Sequence, residues 1–259
     1  MNTPIQIESV HKAFGAQKVL CGVDLTVARG EVVALMGRSG EGKSVLLRLI
    51  VGLQPPDSGS IRVLGEEVNS LSPEDLKAVR KRIGFLFQQA ALYDSLTVQE
   101  NVAFPIERHQ KMPTGERRDR VRQLLESVGM ADHAKKLPAE ISGGMQKRVG
   151  LARALALDPE VLLFDEPTSG LDPITSAEID ELILRLNQKH RMTSLVVTHD
   201  VQSAKRFSDR VVLIHEGKFV AAGTMQELGK SRDPFVLQFL AGESGGGLRL
   251  DGAGESKGS

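Results

Sequence analysis

Hydrophobic and polar positions along this chain switch between a period of two and a period near 3.6, and the switches mark out its elements. Ile5 to Val10 and Val19 to Val27 read as strands joined by a turn around Gly15, the second carrying alternating Val23, Leu25 and Val27. Val32 to Met36 is a continuous apolar run, and Val45, Leu46, Leu47, Leu49 and Ile50 continue as a helix that stops near Gly52. Turn residues from Gln54 to Gly59 lead into a strand from Ser60 to Leu64. Ser72 caps the next helix, with Pro73 at its first position and Glu74 and Asp75 in its first turn. Ile83 to Phe87 is a strand that ends at Gln88-Gln89.

From about 90 to 157 the pattern is helical throughout. Thr97-x-x-Glu100 opens one helix, Gly115 to Val128 forms a second ended by Gly129, and Ser142 caps a third running to about Leu157. The simplest reading is an α-helical lobe inserted into an α/β core; the alternative is that these helices cover a sheet face. Val161 to Phe164 then resumes the sheet and delivers Asp165 and Glu166 at its carboxyl end, where open α/β sheets bind ligands. Asp172 caps a helix from Pro173 to about Lys189, whose stripe of Ile179, Leu182, Ile183 and Leu186 faces the core. Leu195 to Thr198 is a strand running into His199-Asp200. A hairpin (Val211 to Ile214, Phe219 to Ala222), the capping pair Thr224 and Glu227, and a helix from Pro234 to about Leu240 complete a folded unit over residues 1–241. From Gly242 to Ser259 the chain is Gly- and Ser-rich, which reads as a disordered or partner-binding tail.

Composition narrows the partners. Lys plus Arg and Asp plus Glu are equal at 33 each over 259 residues, so there is no electrostatic footprint for nucleic acid and no overall attraction to an anionic membrane. The N-terminus lacks the layout of an export signal and no apolar run approaches the ~18 residues of a membrane span, so the chain is expected in the cytosol, with any membrane link made through a partner. Cys21 is the only cysteine, which excludes an intramolecular disulfide and a Cys-rich metal site.

The chemistry centres on Gly37-Arg38-Ser39-Gly40-Glu41-Gly42-Lys43-Ser44. This stretch fits the phosphate-cradling pattern G-x-x-x-x-G-K-[ST] in the strand, loop and helix setting that the pattern requires. Glycines let successive N–H groups converge on an anion, and the new helix adds the positive end of its dipole. Lys43 would reach the terminal phosphates of a nucleoside triphosphate, and the Ser44 hydroxyl would be one ligand of Mg²⁺. Asp165 fits the metal side through water, Glu166 would polarise an attacking water, and Gln88 could offer a neutral oxygen to the metal or that water. His199 could donate to the γ-phosphate. Phe14 has two readings: a ring stacked on a nucleotide base, or a core residue closing the first hairpin.

Ile141-Ser142-Gly143-Gly144-Met145-Gln146 has no place in a one-chain site. Taken alone it is an ordinary capped helix, but beside the Lys43 loop it forms a second phosphate receptor on one sequence. Two chains paired head to tail would each lend this segment to the other's nucleotide, giving two identical sites.

Phe14, GRSGEGKS, Gln88, ISGGM, LLFDE, Ser169-Gly170-Leu171-Asp172 and His199, in this order, resemble the nucleotide-binding subunit of ABC transporters over about residues 5 to 230. The resemblance implies a P-loop NTPase core, a mixed sheet with an N-terminal antiparallel β subdomain and an inserted helical lobe. It also implies ATP and Mg²⁺ as cofactors and hydrolysis by a closing and opening ATP-sandwich dimer. Phe14 takes the A-loop role, Gly37 to Ser44 with the following Val45 the Walker A role, Gln88 the Q-loop, and Ser142 to Gln146 the signature. Asp165 and Glu166 take the Walker B and catalytic-base roles, Ser169 to Asp172 the D-loop, and His199 the switch. Polytopic permease subunits docked near the Q-loop are the implied partners. Two positions depart from the family pattern: Met145 stands where Gln is usual, and Phe14 where Tyr is usual.

ALYDSLTVQENVAFPI, SGGMQKR, DEPTSGLDPITS and FVLQFLAG are similar to the lipid-transport branch that works with MCE-domain binding proteins at the cytoplasmic face of the inner membrane. That similarity implies phospholipid cargo and makes Pro234 to Leu240 and the tail candidates for clasping a neighbouring ATPase or a small regulatory subunit. Polar amino-acid importers carry a similar Q-loop region and are the alternative. A soluble ABC-type ATPase acting on ribosomes or DNA fits less well, since the chain has a single cassette, no coiled-coil heptads and no basic stripe.

Overall fold

The structure, a computed structural model, describes residues 3–242. The expectations for the tail therefore lie outside the described residues, except at Gly242. Two sheets form the α/β core. The first is antiparallel in the order β2-β1-β4-β5, built from β1 (Ile5–Phe14), β2 (Gln17–Val27), β4 (Ser58–Val63) and β5 (Glu66–Glu67). The second runs β10-β9-β3-β8-β7-β6, from β3 (Val32–Met36), β6 (Ile83–Leu86), β7 (Val161–Asp165), β8 (Thr193–Thr198), β9 (Arg210–His215) and β10 (Lys218–Gly223). Its strands pair in parallel except for the antiparallel edge strand β10.

Side-chain alternation explains why the central strands read as unbroken apolar runs. In β3, Val32, Ala34 and Met36 enter one core cluster while Val33 and Leu35 enter the other; in β7, Leu162 and Phe164 oppose Val161 and Leu163. A parallel sheet covered on both faces needs apolar residues at every position. One cover is α1 (Lys43–Ile50), which buries Leu46, Leu47, Leu49 and Ile50, together with the antiparallel sheet and α2 (Pro73–Lys81).

The opposite cluster is continuous with the helices that follow β6. Between β6 and β7 lie α3 (Val98–His109), α4 (Thr114–Ser127), two short 3₁₀ turns and α5 (Gly143–Ala154), with no strand among them. α3 and α4 pack on one another and on α5, and α5 packs on β6, so α5 joins these helices to the sheet. Thr97 and Glu100 close a reciprocal cap on α3, as the sequence predicts. α6 (Pro173–His190), α7 (Val201–Phe207), α8 (Met225–Leu228) and α9 (Pro234–Leu240) complete the described chain. None of these helices is long and apolar enough to cross a membrane.

Two boundaries differ from expectation by three or more residues. β1 continues to Phe14, which pairs with Gln17, so the turn holds Gly15 and Ala16 alone. The extension is fixed from outside the hairpin: Asp57 accepts from Lys12 Nζ at 2.8 Å and from the Ala13 N–H at 2.7 Å. α5 ends at Ala154, short of Leu157, and the chain then turns through Asp158 at a φ of 52°.

Asp180 on α6 is fully buried and reaches Arg206 on α7 at 3.1 Å, with its second oxygen unpartnered. Burial pushes its carboxyl above the usual range, against the nearby Ser203 hydroxyl and Arg206 guanidinium. A raised folded-state pKa contributes stability that is present below the unfolded value, about 4, and is lost as pH rises through the folded value. Asp180→Asn is therefore expected to gain stability relative to the unmodified protein between pH 4 and neutrality. Denaturant midpoints across that range check this; a difference independent of pH would show that burial does not set the titration of Asp180.

Candidate active site

The parallel pairing lines up the carboxyl ends of four strands. Met36 lies opposite Thr198, Asp165 opposite Val197, and Leu86 opposite Phe164. The residues that follow each strand therefore meet in one cleft of about 610 Å³, lined by Phe14, Val45, Gln88, Glu166, His199 and most of the loop from Gly37 to Ser44.

The loop is glycine-rich for steric reasons at two points. Gly42 has a φ of 87°, and a Cβ there would sit 2.6 Å from Val19 Cγ1. A Cβ on Gly37 would lie 2.6 Å from Ile214 Cγ2 and 2.7 Å from Ile214 O, so the loop is pressed against β9. Lys43 opens α1 at 6% exposure, and its Nζ donates to Gly37 O at 2.9 Å and Arg38 O at 2.8 Å. Burial pushes its ammonium below the usual lysine range, against the fields of Glu166, Glu41 and Asp165.

Ser44 Oγ donates to Asp165 Oδ1 at 2.7 Å, which joins the loop to the end of β7. Glu166 follows in a left-handed conformation, with a φ of 50°, a strain that persists only where the surroundings over-determine it. That turn takes its carboxylate to His199, whose Nδ1 lies 2.8 Å from Glu166 Oε2. With Nδ1–H donated to Glu166, Nε2 can donate to a phosphate oxygen only when the ring carries both protons. Gln88 Nε2 donates to Ser169 Oγ at 3.3 Å, tying the residue after β6 to the segment before α6.

Phe14 is 47% exposed and lies on the rim of the cleft, with Lys12 Nζ 5.5 Å from its ring centre. The core alternative for this residue is thereby removed. Glu41 and Asp165 do not line the cleft. Glu41 turns its carboxylate to His215 Nδ1 at 3.1 Å, and Asp165 contributes through Ser44.

Ser142, Gly143, Gly144, Met145, Gln146 and Asp172 are not brought into this cleft. Ser142 caps α5 by accepting from Met145 N, as expected. The Gln146 side chain is turned back on its own chain and donates to Pro138 O at 3.0 Å. Asp172 caps α6, accepting from Ile174 N and Thr175 N at 3.0 Å each and from Thr175 Oγ1 at 2.6 Å; the Thr175 bonds hold its carboxyl below the usual range. A Cβ on Gly144 would meet Thr175 Cγ2 at 2.4 Å, so the starts of α5 and α6 form one packed unit.

Three contributions escaped the pattern-based reading. Val19 and Val201 line the cleft, and α9 reaches its rim through Phe239. Phe235 of the same helix stacks on His215 with ring centres 3.9 Å apart and carries the Arg38 guanidinium 5.6 Å from its own centre. The third is Lys147, 5% exposed, whose Nζ donates to Gln88 O and, at 3.2 Å, to Glu166 O. Burial pushes its pKa down to about 8, against the fields of Asp165 and Glu166.

Fold and site together define a P-loop nucleoside triphosphatase, with a glycine loop after one parallel strand and an acidic pair after another. The ABC transporter family model matches residues 20–169, and the chain belongs to that family, whose ATPase chemistry it carries. It is 42% identical over 246 residues to the intermembrane phospholipid transport system ATP-binding protein MlaF of Haemophilus influenzae, covering 95% of this chain and 93% of that one. It is 44% identical over 219 residues to the methionine import ATP-binding protein MetN of Brucella abortus, covering 85% of this chain and 59% of that one. Among solved structures, the dimeric post-hydrolysis state of the ATP-binding cassette MJ0796 bound to ADP and Pi matches with a TM-score of 0.78. That match has 34% identity and covers 85% of this chain and 98% of that one.

Gly37→Ala is expected to cost about 1–3 kcal/mol, because the new methyl group must displace Ile214 or shift the loop. ATP binding is expected to weaken with it. Denaturant titration and equilibrium nucleotide binding check both; unchanged values would mean that the loop's contact with Ile214 places no demand on residue 37.

Proposed function

We infer that the chain is the ATP-hydrolysing subunit of a transporter and that phospholipid is its cargo. The observation that carries the hydrolytic part is the pair of contacts joining Ser44 to Asp165 and Glu166 to His199 at the mouth of the phosphate loop. Backbone N–H groups from Arg38 to Ser44 and the Lys43 ammonium would hold the β- and γ-phosphates. The donor set of Ser44 Oγ, Asp165 and Gln88 is oxygen only and suits Mg²⁺ that keeps several of its own waters; when bound, the ion would neutralise charge on the β- and γ-phosphates. Glu166 accepts the proton of the water that attacks the γ-phosphorus, the bond to the β-bridging oxygen breaks, and ADP leaves. His199 holds the Glu166 carboxylate and presents Nε2 toward the transferred group. Phe14 offers a stacking face to the adenine.

That Ser142 to Gln146 do not line the Lys43 cleft supports a site shared by two chains paired head to tail. The partner's Ser142, Gly143, Gly144 and Met145 would close over the nucleotide, mostly through main-chain N–H groups, since Gln146 is held by Pro138. The dimeric state of the MJ0796 cassette is consistent with such pairing.

Beside Gln88, a groove of about 520 Å³ exposes Phe87, Tyr93 and Phe104 under a basic rim of Lys77, Arg80 and Lys81. Stacked and tilted ring pairs, Phe85 on Phe87 and Tyr93 on Phe104, keep it open and apolar. It suits an apolar helix with acidic flanks, in keeping with polytopic permease subunits at the cytoplasmic face of the inner membrane. Phospholipid rests on the near full-length similarity to the Haemophilus protein, and an MCE-domain binding protein and a small regulatory subunit would follow from it. The MetN similarity favours a second reading, a small-solute importer.

Glu166→Gln is expected to bind ATP, lose about 10²- to 10⁴-fold in hydrolysis, and accumulate as an ATP-dependent dimer in size-exclusion chromatography. An undiminished rate would remove Glu166 from the role of base. Affinity isolation from membranes is expected to recover polytopic subunits with co-eluting phospholipid. Recovery instead of a permease whose ATPase responds to a small solute would favour the importer.

A further inference from the structure

Lys147 performs no step of the hydrolysis described above, yet it is among the least exposed charged side chains of the protein. It lies on α5 just past the turn capped by Ser142 and makes its two hydrogen bonds to main-chain oxygens, those of Gln88 and Glu166. It thus connects three separate elements: the helix whose N-terminus is Ser142, the loop after β6, and the turn after β7. An ammonium buried without an adjacent carboxylate is a poor device for stability, because its desolvation is repaid only by carbonyl dipoles and by the fields of nearby acids. A less costly apolar side chain would fill the space. What the ammonium adds is direction, since it can draw two carbonyls to one point.

The same face of α5 continues this contact at spacings of three residues. A Cβ on Gly150 would lie 2.8 Å from Leu86 Cδ1 and 3.2 Å from Ala90 Cβ, and Arg153 donates to Ala90 O at 2.6 Å and Ala91 O at 2.7 Å. The main chain it holds is strained: Ala90, Ala91 and Glu166 have φ values of 57°, 47° and 50°. Side chains in that region of φ meet their own backbone, so the conformations need external restraint. Arg153 holds Ala90 and Ala91, while Lys147 holds Glu166 itself and Gln88, two residues before the Ala90 turn.

We propose that Lys147 is a positioning residue that fixes the main chain of Gln88 and Glu166 to the N-terminal turn of α5, so that the Glu166 carboxylate of one nucleotide site and the Ser142 cap offered to the second move as one body. The proposal rests on the two-chain reading of the site. Seating of Ser142 on the partner's nucleotide is then felt at Glu166 of the same chain. The two ATP molecules are coupled through a single side chain.

The test follows hydrolysis by the full chain over ranges of ATP and protein concentration, for the unmodified protein, Lys147→Met and Lys147→Arg, with ATP affinity measured separately by equilibrium binding. Lys147→Met is expected to keep its ATP affinity, to lose about ten- to hundredfold in kcat, and to show a Hill coefficient falling towards one. Lys147→Arg, which still presents donors to both carbonyls, is expected to recover most of the rate and the cooperativity. Partial unfolding would lower the active fraction and leave the Hill coefficient where it was. An unchanged kcat and Hill coefficient in Lys147→Met overturns the proposal, as does ATP affinity lost in parallel with rate. If Lys147→Met does not fold, Lys147→Gln takes its place under the same criteria. If neither folds while Lys147→Arg is normal, Lys147 is structural and the proposal falls. Failure of the two-chain reading shows separately, in the unmodified protein, as specific activity that does not rise with protein concentration and a hyperbolic dependence on ATP.

Discussion

The register of four parallel strands is the constraint on which the site depends. Main-chain hydrogen bonds set Asp165 beside Val197 and Thr198 beside Met36, so Glu166, His199 and the Gly37 loop leave the sheet on one line. The register cannot slip by one residue, because Leu162 and Phe164 would exchange clusters with Val161 and Leu163, and both clusters are closed. Close packing of two unlike covers, the antiparallel sheet with α1 on one face and the later helices on the other, therefore holds Ser44 to Asp165 and Glu166 to His199 at hydrogen-bonding distances.

Local signals carried the elements of this core into the sequence. Continuous apolar runs gave β3, β7 and most of β8, and the caps at Ser72, Thr97, Ser142, Asp172 and Thr224 are formed as their spacing predicts. The failures share a different origin. β1 extends to Phe14 because Asp57, far along the chain, holds Lys12 and Ala13; no window around Phe14 contains that information. Phe235 and Phe239 look like any amphipathic helix until His215 and the cleft are seen beside them. Lys147 resembles a solvated helix residue, since a local pattern cannot reveal that both its partners are main-chain oxygens from other elements.

The helix-start receptors also show why motif and placement are separate questions. Ser142 and Asp172 each cap a helix, Ser142 through the Met145 N–H alone, and Gly144 lets Thr175 approach so closely that the two caps form one surface. Within one chain that surface does not line the Lys43 cleft. N–H groups at the start of a helix suit an anion, and under the proposed two-chain site that anion would come from the partner's nucleotide.

Charge in the cleft is balanced around Lys43 in a way that favours exchange of its partners. Its ammonium is held by two neutral acceptors, Gly37 O and Arg38 O, while Asp165 and Glu41 are occupied by Ser44 and His215. No carboxylate therefore competes at hydrogen-bonding distance. Phosphate oxygens add an attraction between opposite charges that neutral carbonyls lack, and their negative charge opposes the desolvation that lowers the Lys43 pKa. An ion pair between Lys43 and Glu166 would have made the loop more stable and a poorer receptor. Turning Glu166 through a strained φ toward His199 keeps that pair apart and leaves both side chains for the nucleotide.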